Sequence, residues 1–284
     1  MRVLIVPNYS RRDAVNDAAA LESWLKTKEA IVEWAPDLYG DEYRMENIST
    51  CDLVVSLGGD GTLLRAARIV GASGVPIVGI SYGHLGFLTC AGPVNLFETV
   101  GDALIGKLHK SVRSTLDIRA CFKRPDGTSF EVRKMALNDL SIGHGSRGDV
   151  ISFEVCVSGN HIDRLRGDGF VVSTATGSTG YALAAGGPIV TPEFGGMVCV
   201  PVAPHTIMAR AFLTGESDVV KIMIDSERPA ETCVFADGQP LGEGCRLQHV
   251  SCRRGPVDIV LLNRSRESFY DSVSRVFYGK AAER

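Results

Sequence analysis

Continuous apolar runs alternate with stretches of helical period over the first hundred residues. Val3–Val6 is a short apolar run. Ala14, Ala18, Leu21 and Leu25 then recur three and four residues apart, the spacing of one helix face. Ser10, with an acid at Asp13, has the form of a capping box ahead of them. Ile31–Trp34 and Leu53–Leu57 read as strands, and Thr62–Val70 as a helix ended by Gly71. From Val75 the run VPIVGIS has no polar alternation, as in a strand covered on both faces. A helix over Val94–Leu108 closes this part. Strand and helix in alternation predict a parallel sheet flanked by helices.

From about Val112 the pattern changes to short strands separated by tight turns at Asp126-Gly127, Gly159-Asn160 and Asp237-Gly238. Such pairs favour hairpins because the tightest hairpin turns need positive φ. The chain to about Leu262 therefore reads as largely antiparallel β. The final stretch returns to helical period through Phe269, Val273, Val276 and Phe277 and can pack back on the first sheet. The expected organisation is an α/β nucleotide-binding domain over residues 1–110, completed by a C-terminal helix over 266–284, and a β-rich domain over 111–265. Asp237-Gly238 reads as no more than a turn, and Cys199 and Cys233 as small core residues.

Composition narrows the classes. The 284 residues are 45% hydrophobic and 22% charged, with a net charge of −3. That balance suits a soluble globular protein and does not indicate a basic surface for nucleic acid. No apolar stretch is long enough to span a membrane, and none reads as a signal peptide. The eight cysteines include no C-x-x-C pair. A zinc site and a disulfide framework are therefore not expected, and a reducing, cytoplasmic setting is.

Two glycine-rich stretches carry candidate chemistry. Gly58-Gly59-Asp60-Gly61-Thr62 follows a strand and opens a helix, at the carboxyl edge where open α/β sheets bind ligands. It lacks the Lys-Ser/Thr of a Walker A loop and misses the dinucleotide glycine spacing. Its glycines let backbone approach a phosphate. Asp60 would then take a proton from an attacking hydroxyl or help hold Mg²⁺; otherwise it simply caps the helix. Arg65 and Arg68 follow, either reaching donor phosphate or, as the simpler reading, lying on a solvated helix face. The second stretch, DGFVVSTATGSTGYALAAGGP from Asp168, is small and rich in hydroxyls. Tyr181 stacks on a base or fills the core, the core being the simpler reading; Asp168 is a turn residue or holds a ribose hydroxyl. Asn138-Asp139 ends an apolar run as a polar pair. His205 reads as a turn residue.

Taken in order, GGDGT, GISYGHLGFLT, LNDLSI, DGFVVSTATGSTGYALAAGGPIV and PVAPHTI closely resemble the NAD kinase family. The resemblance implies phosphoryl transfer to the 2′-hydroxyl of the adenosine ribose of NAD, giving NADP. It implies ATP or polyphosphate as donor, a divalent metal such as Mg²⁺, and a homodimer or homotetramer whose subunits share sites. The implied fold is an N-terminal α/β domain and a C-terminal β-rich domain with the site between them. By position, Asp60 corresponds to the catalytic base and Gly58, Gly59, Gly61 and Thr62 to the loop around it. Asn138 corresponds to an asparagine contacting NAD, Asp139 to a residue usually glutamate, and Asp168 to an acid serving a neighbouring subunit. Thr176, Thr179, Gly180 and Tyr181 fall in the dinucleotide-binding motif, Thr179 and Tyr181 around the adenine. Ala175 stands for a usual proline, Gly180 for alanine and His84 for asparagine; the first two are expected to loosen the turn. Two rivals remain: a lipid kinase of the diacylglycerol or sphingosine type, sharing the first motif, and a non-catalytic NAD(P)-binding sensor.

Overall fold

The computed structural model describes residues 1–37, 47–83, 86–146, 148–225, 231–264 and 269–279. Contacts divide the chain into two compact units, Met1–Val112 with Asp258–Arg284, and Arg113–Val257.

The first unit opens with β1 (Arg2–Pro7), α1 (Arg12–Lys26), β2 (Ile31–Trp34), β3 (Leu53–Gly58), α2 (Asp60–Val70), β4 (Ile77–Ser81), α3 (Leu96–Leu104) and β5 (His109–Arg113). The second unit follows with β6 (Leu116–Lys123), β7 (Ser129–Ala136), β8 (Asp139–His144), β9 (Ile151–Val157), β10 (Asn160–Gly167) and β11 (Gly169–Ser173). A short helix α4 (Tyr181–Ala184) precedes β12 (Val198–Val202), β13 (Phe212–Leu213), β14 (Val219–Ile224), β15 (Thr232–Ala236), β16 (Gln239–Leu241) and β17 (Arg246–Arg254). The chain then returns to the first unit with β18 (Ile259–Asn263) and α5 (Phe269–Tyr278).

The first sheet has the order β2-β1-β3-β4-β18-β5, and β2, β1, β3, β4 and β18 pair in parallel. The chain runs outward from β1 to β2 and then back past β1 to β3. The carboxyl ends of β1 and β3 are therefore a topological switch point, where open α/β sheets take their ligands. The continuous apolar runs are explained by burial on both faces: every residue of β3 and β4 is buried. Ala14, Ala18, Leu21 and Leu25 of α1 are fully buried against that sheet. The capping box at its start does not form: Arg11 is the N-cap and no side chain caps the helix, while Asp13 accepts the N–H of Ala14. Helix α3 begins only at Leu96 because Pro93–Asn95 makes a tighter 3₁₀ turn before it. Residues Ile259–Asn263, expected in the β-rich part, instead pair in parallel with β4. Their uninterrupted IVLL run fits a doubly covered strand. Phe87 packs its ring against Phe269 and Phe277 of α5.

The second unit is two antiparallel sheets, β10-β9-β14-β17-β6-β7 and β13-β12-β11-β8-β15-β16. One apolar core, including Phe122, Phe153, Phe170, Leu140 and Val250, draws on strands of both. The three anticipated turns are present. At the second, the residues with positive φ are Ser158 and Gly159, one position earlier than read; at the third they are Asp237 and Gly238.

Leu21 has no exposed surface and belongs to the core under the first sheet. Leu21→Ala should lower unfolding free energy by about 2–5 kcal/mol, read from the urea midpoint at unchanged slope.

Candidate active site

In the first unit the motif lies at the switch point. Gly58 ends β3, and the N–H of Asn8, just past β1, donates to Leu57 O at 2.7 Å. A Cβ on Gly58 would come within 3.0 Å of Asn8 Cβ and within 2.7 Å of Thr62 Cβ. Glycine is required there by close approach. Asp60 is the first residue of α2, and Gly59 is the N-cap without a side-chain cap. The capping reading of Asp60 therefore fails: the helix start is closed by backbone, with the N–H groups of Thr62 and Leu63 donating to Gly59 O.

The Asp60 carboxylate turns instead toward the loop after β4. A Cβ on Gly86 would lie 2.6 Å from Asp60 Oδ1, so a side chain there must push the carboxylate aside. Burial pushes the Asp60 carboxyl above its ordinary range, and the backbone N–H groups of Phe87 and Leu88 partly offset this. Oδ1 is buried without a hydrogen-bond partner. A lone buried acceptor of this kind is costly unless something pairs with it. Thr62 is half-buried and Gly61 exposed, so the loop keeps an open side. Arg65 departs from its expected place on a solvated face. It is 7% exposed, and its Nη2 donates to Pro7 O at 2.6 Å. That bond ties α2 to the end of β1. Arg68 is half-buried. His84 lies outside the described residues.

In the second unit Asn138, Asp139 and the hydroxyl-rich turn come together at one end of a sheet. Antiparallel pairing of β8 with β11 sets Asp139 opposite Ser173. Past that pair the chains lock by hydrogen bonds. Asn138 O accepts the Thr174 N–H at 2.9 Å and the Ser173 hydroxyl at 3.2 Å. Thr174 Oγ1 donates to Leu137 O at 2.7 Å and accepts the Gly177 N–H at 3.1 Å. A Cβ on Gly177 would lie 2.7 Å from Asn138 Cα, which explains a glycine in the turn. Thr176–Thr179 forms a 3₁₀ turn. Asn138 Oδ1 and Thr176 Oγ1 are both buried without partners, and Asn138 Nδ2 lies beside Gly180. Thr179 is half-buried, its hydroxyl donating to Thr176 O.

One expectation about this turn changes. Tyr181 is 48% exposed, so it is not a core residue. Ala175 has φ −56°, a value proline adopts, so its backbone matches the usual residue. Gly180 has φ −97° and needs no left-handed conformation. Asp168 sits in the bend before β11, with its N–H on Val202 O at 3.0 Å. It is separated from Ser173 by the length of that strand, about 16 Å. It is not brought together with Asn138 and Asp139. His205 is exposed in a bend, as read, its N–H on Arg166 O.

Sequence reading missed Asp237. Its carboxylate accepts the N–H groups of Leu137, Asn138 and Asp139 at 2.8, 2.7 and 3.1 Å. A hairpin pair gives no hint of this, because the partners lie a hundred residues away. Burial first, and the Asp237 charge second, push the Asp139 carboxyl up to about 7.

The comparisons bear on both halves. The ATP-NAD kinase N-terminal domain profile matches residues 26–107, and the ATP-NAD kinase C-terminal domain profile matches residues 137–263. An NAD kinase of Methylibium petroleiphilum is 34% identical over 257 residues, covering 90% of this chain and 84% of the relative. The chain belongs to the NAD kinase family. An NAD kinase of Nitrosospira multiformis is 39% identical over 227 residues, covering 80% of this chain and 75% of its own. Among solved structures, an Archaeoglobus fulgidus NAD kinase in complex with ATP aligns with a TM-score of 0.72 at 26% identity, covering 96% and 99%. A yeast NADH kinase complexed with NADH aligns with a TM-score of 0.84 at 19% identity, covering 100% of this chain and 89% of that one, a likeness of fold. Family membership sets aside the lipid-kinase rival, whose resemblance rested on the first motif alone.

Asp139 holds its proton more tightly folded than unfolded. Its contribution is therefore intact below the ordinary carboxylate range and is lost as pH rises through about 7. Asp139→Asn should abolish this loss. From pH 4 to pH 8 the variant should gain unfolding free energy relative to the parent, by at most about 4 kcal/mol, in paired urea titrations.

Proposed function

We propose that this chain transfers the γ-phosphoryl group of ATP to the 2′-hydroxyl of the adenosine ribose of NAD, giving NADP. The observation that carries the reading is the set of three buried, unpartnered acceptors, Asp60 Oδ1, Asn138 Oδ1 and Thr176 Oγ1, all in motifs of an NAD kinase family member. A relative's complex with ATP and another's with NADH support the two ligand classes. Polyphosphate is the alternative donor.

Each residue has a chemical task. A ribose hydroxyl is a poor nucleophile at neutral pH, and Asp60 accepts its proton as the bond to phosphorus forms. Gly58, Gly59, Gly61 and Thr62 let donor phosphates approach backbone N–H groups at the start of α2. Asn138 and Asp139 hold the dinucleotide through their amide and carboxyl groups, and Thr176, Thr179, Gly180 and the exposed Tyr181 receive the adenosine. A base on Asp60 separates this reading from a binding-only sensor, which has no use for a carboxylate whose burial costs free energy.

No group of three or more potential metal ligands occurs among the described residues. The proposed donor ATP brings phosphates, and Mg²⁺ binds through substrate phosphates with one or two carboxylates at most. Donor phosphates would carry the ion, leaving Asp60 free to take the hydroxyl proton, and the ion would neutralise charge on the transferring phosphoryl group. Asp168's service to a neighbouring subunit, in a homodimer or homotetramer, rests on the family resemblance alone. A cytoplasmic setting is proposed from the family reading; the eight cysteines are free. No helix among the described residues is long and apolar enough to cross a membrane.

Purified protein with NAD, Mg²⁺ and either ATP or polyphosphate should form NADP, read by a coupled dehydrogenase. NAD binding without NADP from either donor would instead favour the sensor. Asp60→Asn should lower kcat by about 10²–10⁴-fold while the NAD dissociation constant changes little, and near-parental turnover would remove the base assignment. Gly86→Ala should cut kcat by about tenfold or more, because the added methyl displaces the Asp60 carboxylate; a crystal structure of the variant would show the displacement.

A further inference from the structure

We propose that Asp237 is a positioning residue for NAD binding: its carboxylate fixes the backbone of Leu137–Asp139 and so aims Asn138 and Asp139. The proposal rests on the NAD kinase reading for its ligand, and on geometry for the rest.

Three N–H groups converge on two oxygens. Asp237 Oδ2 accepts from Leu137, while Oδ1 accepts from both Asn138 and Asp139. The backbone closes the same contact in reverse, with the Asp237 N–H donating to Asp139 O at 2.9 Å. Asp237 itself has φ +47° and is 9% exposed. The turn between β15 and β16 thus carries a side chain directed back at strand β8 rather than into solvent. Only an acceptor on both oxygens satisfies all three donors. An asparagine would turn its NH₂ toward a backbone N–H and orphan at least one donor.

From the other side, Asn138 O takes the Thr174 N–H and the Ser173 hydroxyl. The peptide that carries Asn138 is therefore held at both its N–H and its C=O, although the side-chain Oδ1 has no partner. That arrangement orients the amide for a ligand without occupying it.

Asp237 also sets the electrostatics of its neighbour. It is the charged group that acts on Asp139, whose carboxyl is pushed up to about 7 by burial and by this charge. Strand β11, on the other side, presents Ser173 and contains no ionisable residue. Neutralising Asp237 should thus lower the pH at which Asp139 titrates, an effect a merely structural turn residue would not have.

Full-length protein, Asp237→Asn and Asp139→Asn decide the matter. Asparagine is tolerated at positive φ, so the turn can persist. In ¹³C-carboxyl NMR, the resonance missing from Asp139→Asn should titrate near neutrality in the parent and at lower pH in Asp237→Asn. The KM for NAD should rise by about tenfold in Asp237→Asn, with kcat changed less. An unmoved Asp139 titration together with a parental KM would overturn the proposal. Should Asp237→Asn fail to fold, amide exchange in the parent decides. Protected Leu137, Asn138 and Asp139 amides support the clamp, and fast exchange overturns it. Parental protein that forms no NADP would refute the functional reading alone, since titration and exchange still report on Asp237.

Discussion

The second unit depends at its functional end on one requirement: every backbone N–H at the start of β8 needs an acceptor. Leu137 and Asn138 precede the paired part of the strand, so no neighbouring strand supplies one. Asp237 does, with a carboxylate carried on the next hairpin. Because a charged acceptor makes stronger hydrogen bonds than a carbonyl, the strand end is held as firmly as its middle. The hydroxyls of Ser173 and Thr174 complete the grip on the carbonyl side. Two buried side-chain atoms at this end, Asn138 Oδ1 and Thr176 Oγ1, have no partner, and a ligand can use them. Rigid backbone and unpaired side chains are two results of the same accounting.

The groups around them, and not burial, separate Asp60 from Asp139. Asp60 and Asp139 are both raised by desolvation, but their surroundings differ. Around Asp60 the offsetting groups are the amides of Phe87 and Leu88, which favour the anion. Around Asp139 the neighbour is another carboxylate, which opposes it. One environment relieves part of the cost of the anion; the other adds to it and pushes the carboxyl up to about 7.

Much of this was legible in the sequence, for reasons that are local. Helix α1 announced itself through Ala14, Ala18, Leu21 and Leu25, since burial of one face imposes its own period. Strands β3 and β4 did so through uninterrupted apolar runs. The loop at Gly58–Thr62 was legible as a strand-to-helix junction, and the NAD kinase resemblance rested on motifs that the two domain profiles also match. What escaped was non-local. The membership of Ile259–Asn263 in the first sheet depends on a strand from far earlier in the chain. The burial of Arg65 depends on Pro7. Asp237 looked like ordinary turn chemistry because Asp-Gly is sufficient for a hairpin, and its hydrogen bonds to residues 137–139 leave no trace in local spacing.

A base and a binder make opposite demands on a carboxyl group. In the proposed reaction Asp60 takes the proton, and the Phe87 and Leu88 amides offset part of the burial that opposes its anion. Holding a ribose requires only that donors and acceptors match, and a sugar hydroxyl is both. A carboxyl near its midpoint can meet that hydroxyl in either state, accepting as the anion and donating as the acid. In the proposed role Asp139 thus loses little as a binder by sitting beside Asp237. The second carboxylate stands next to Asp139 and backbone amides next to Asp60, a difference that suits the proposed division of labour between the two acids.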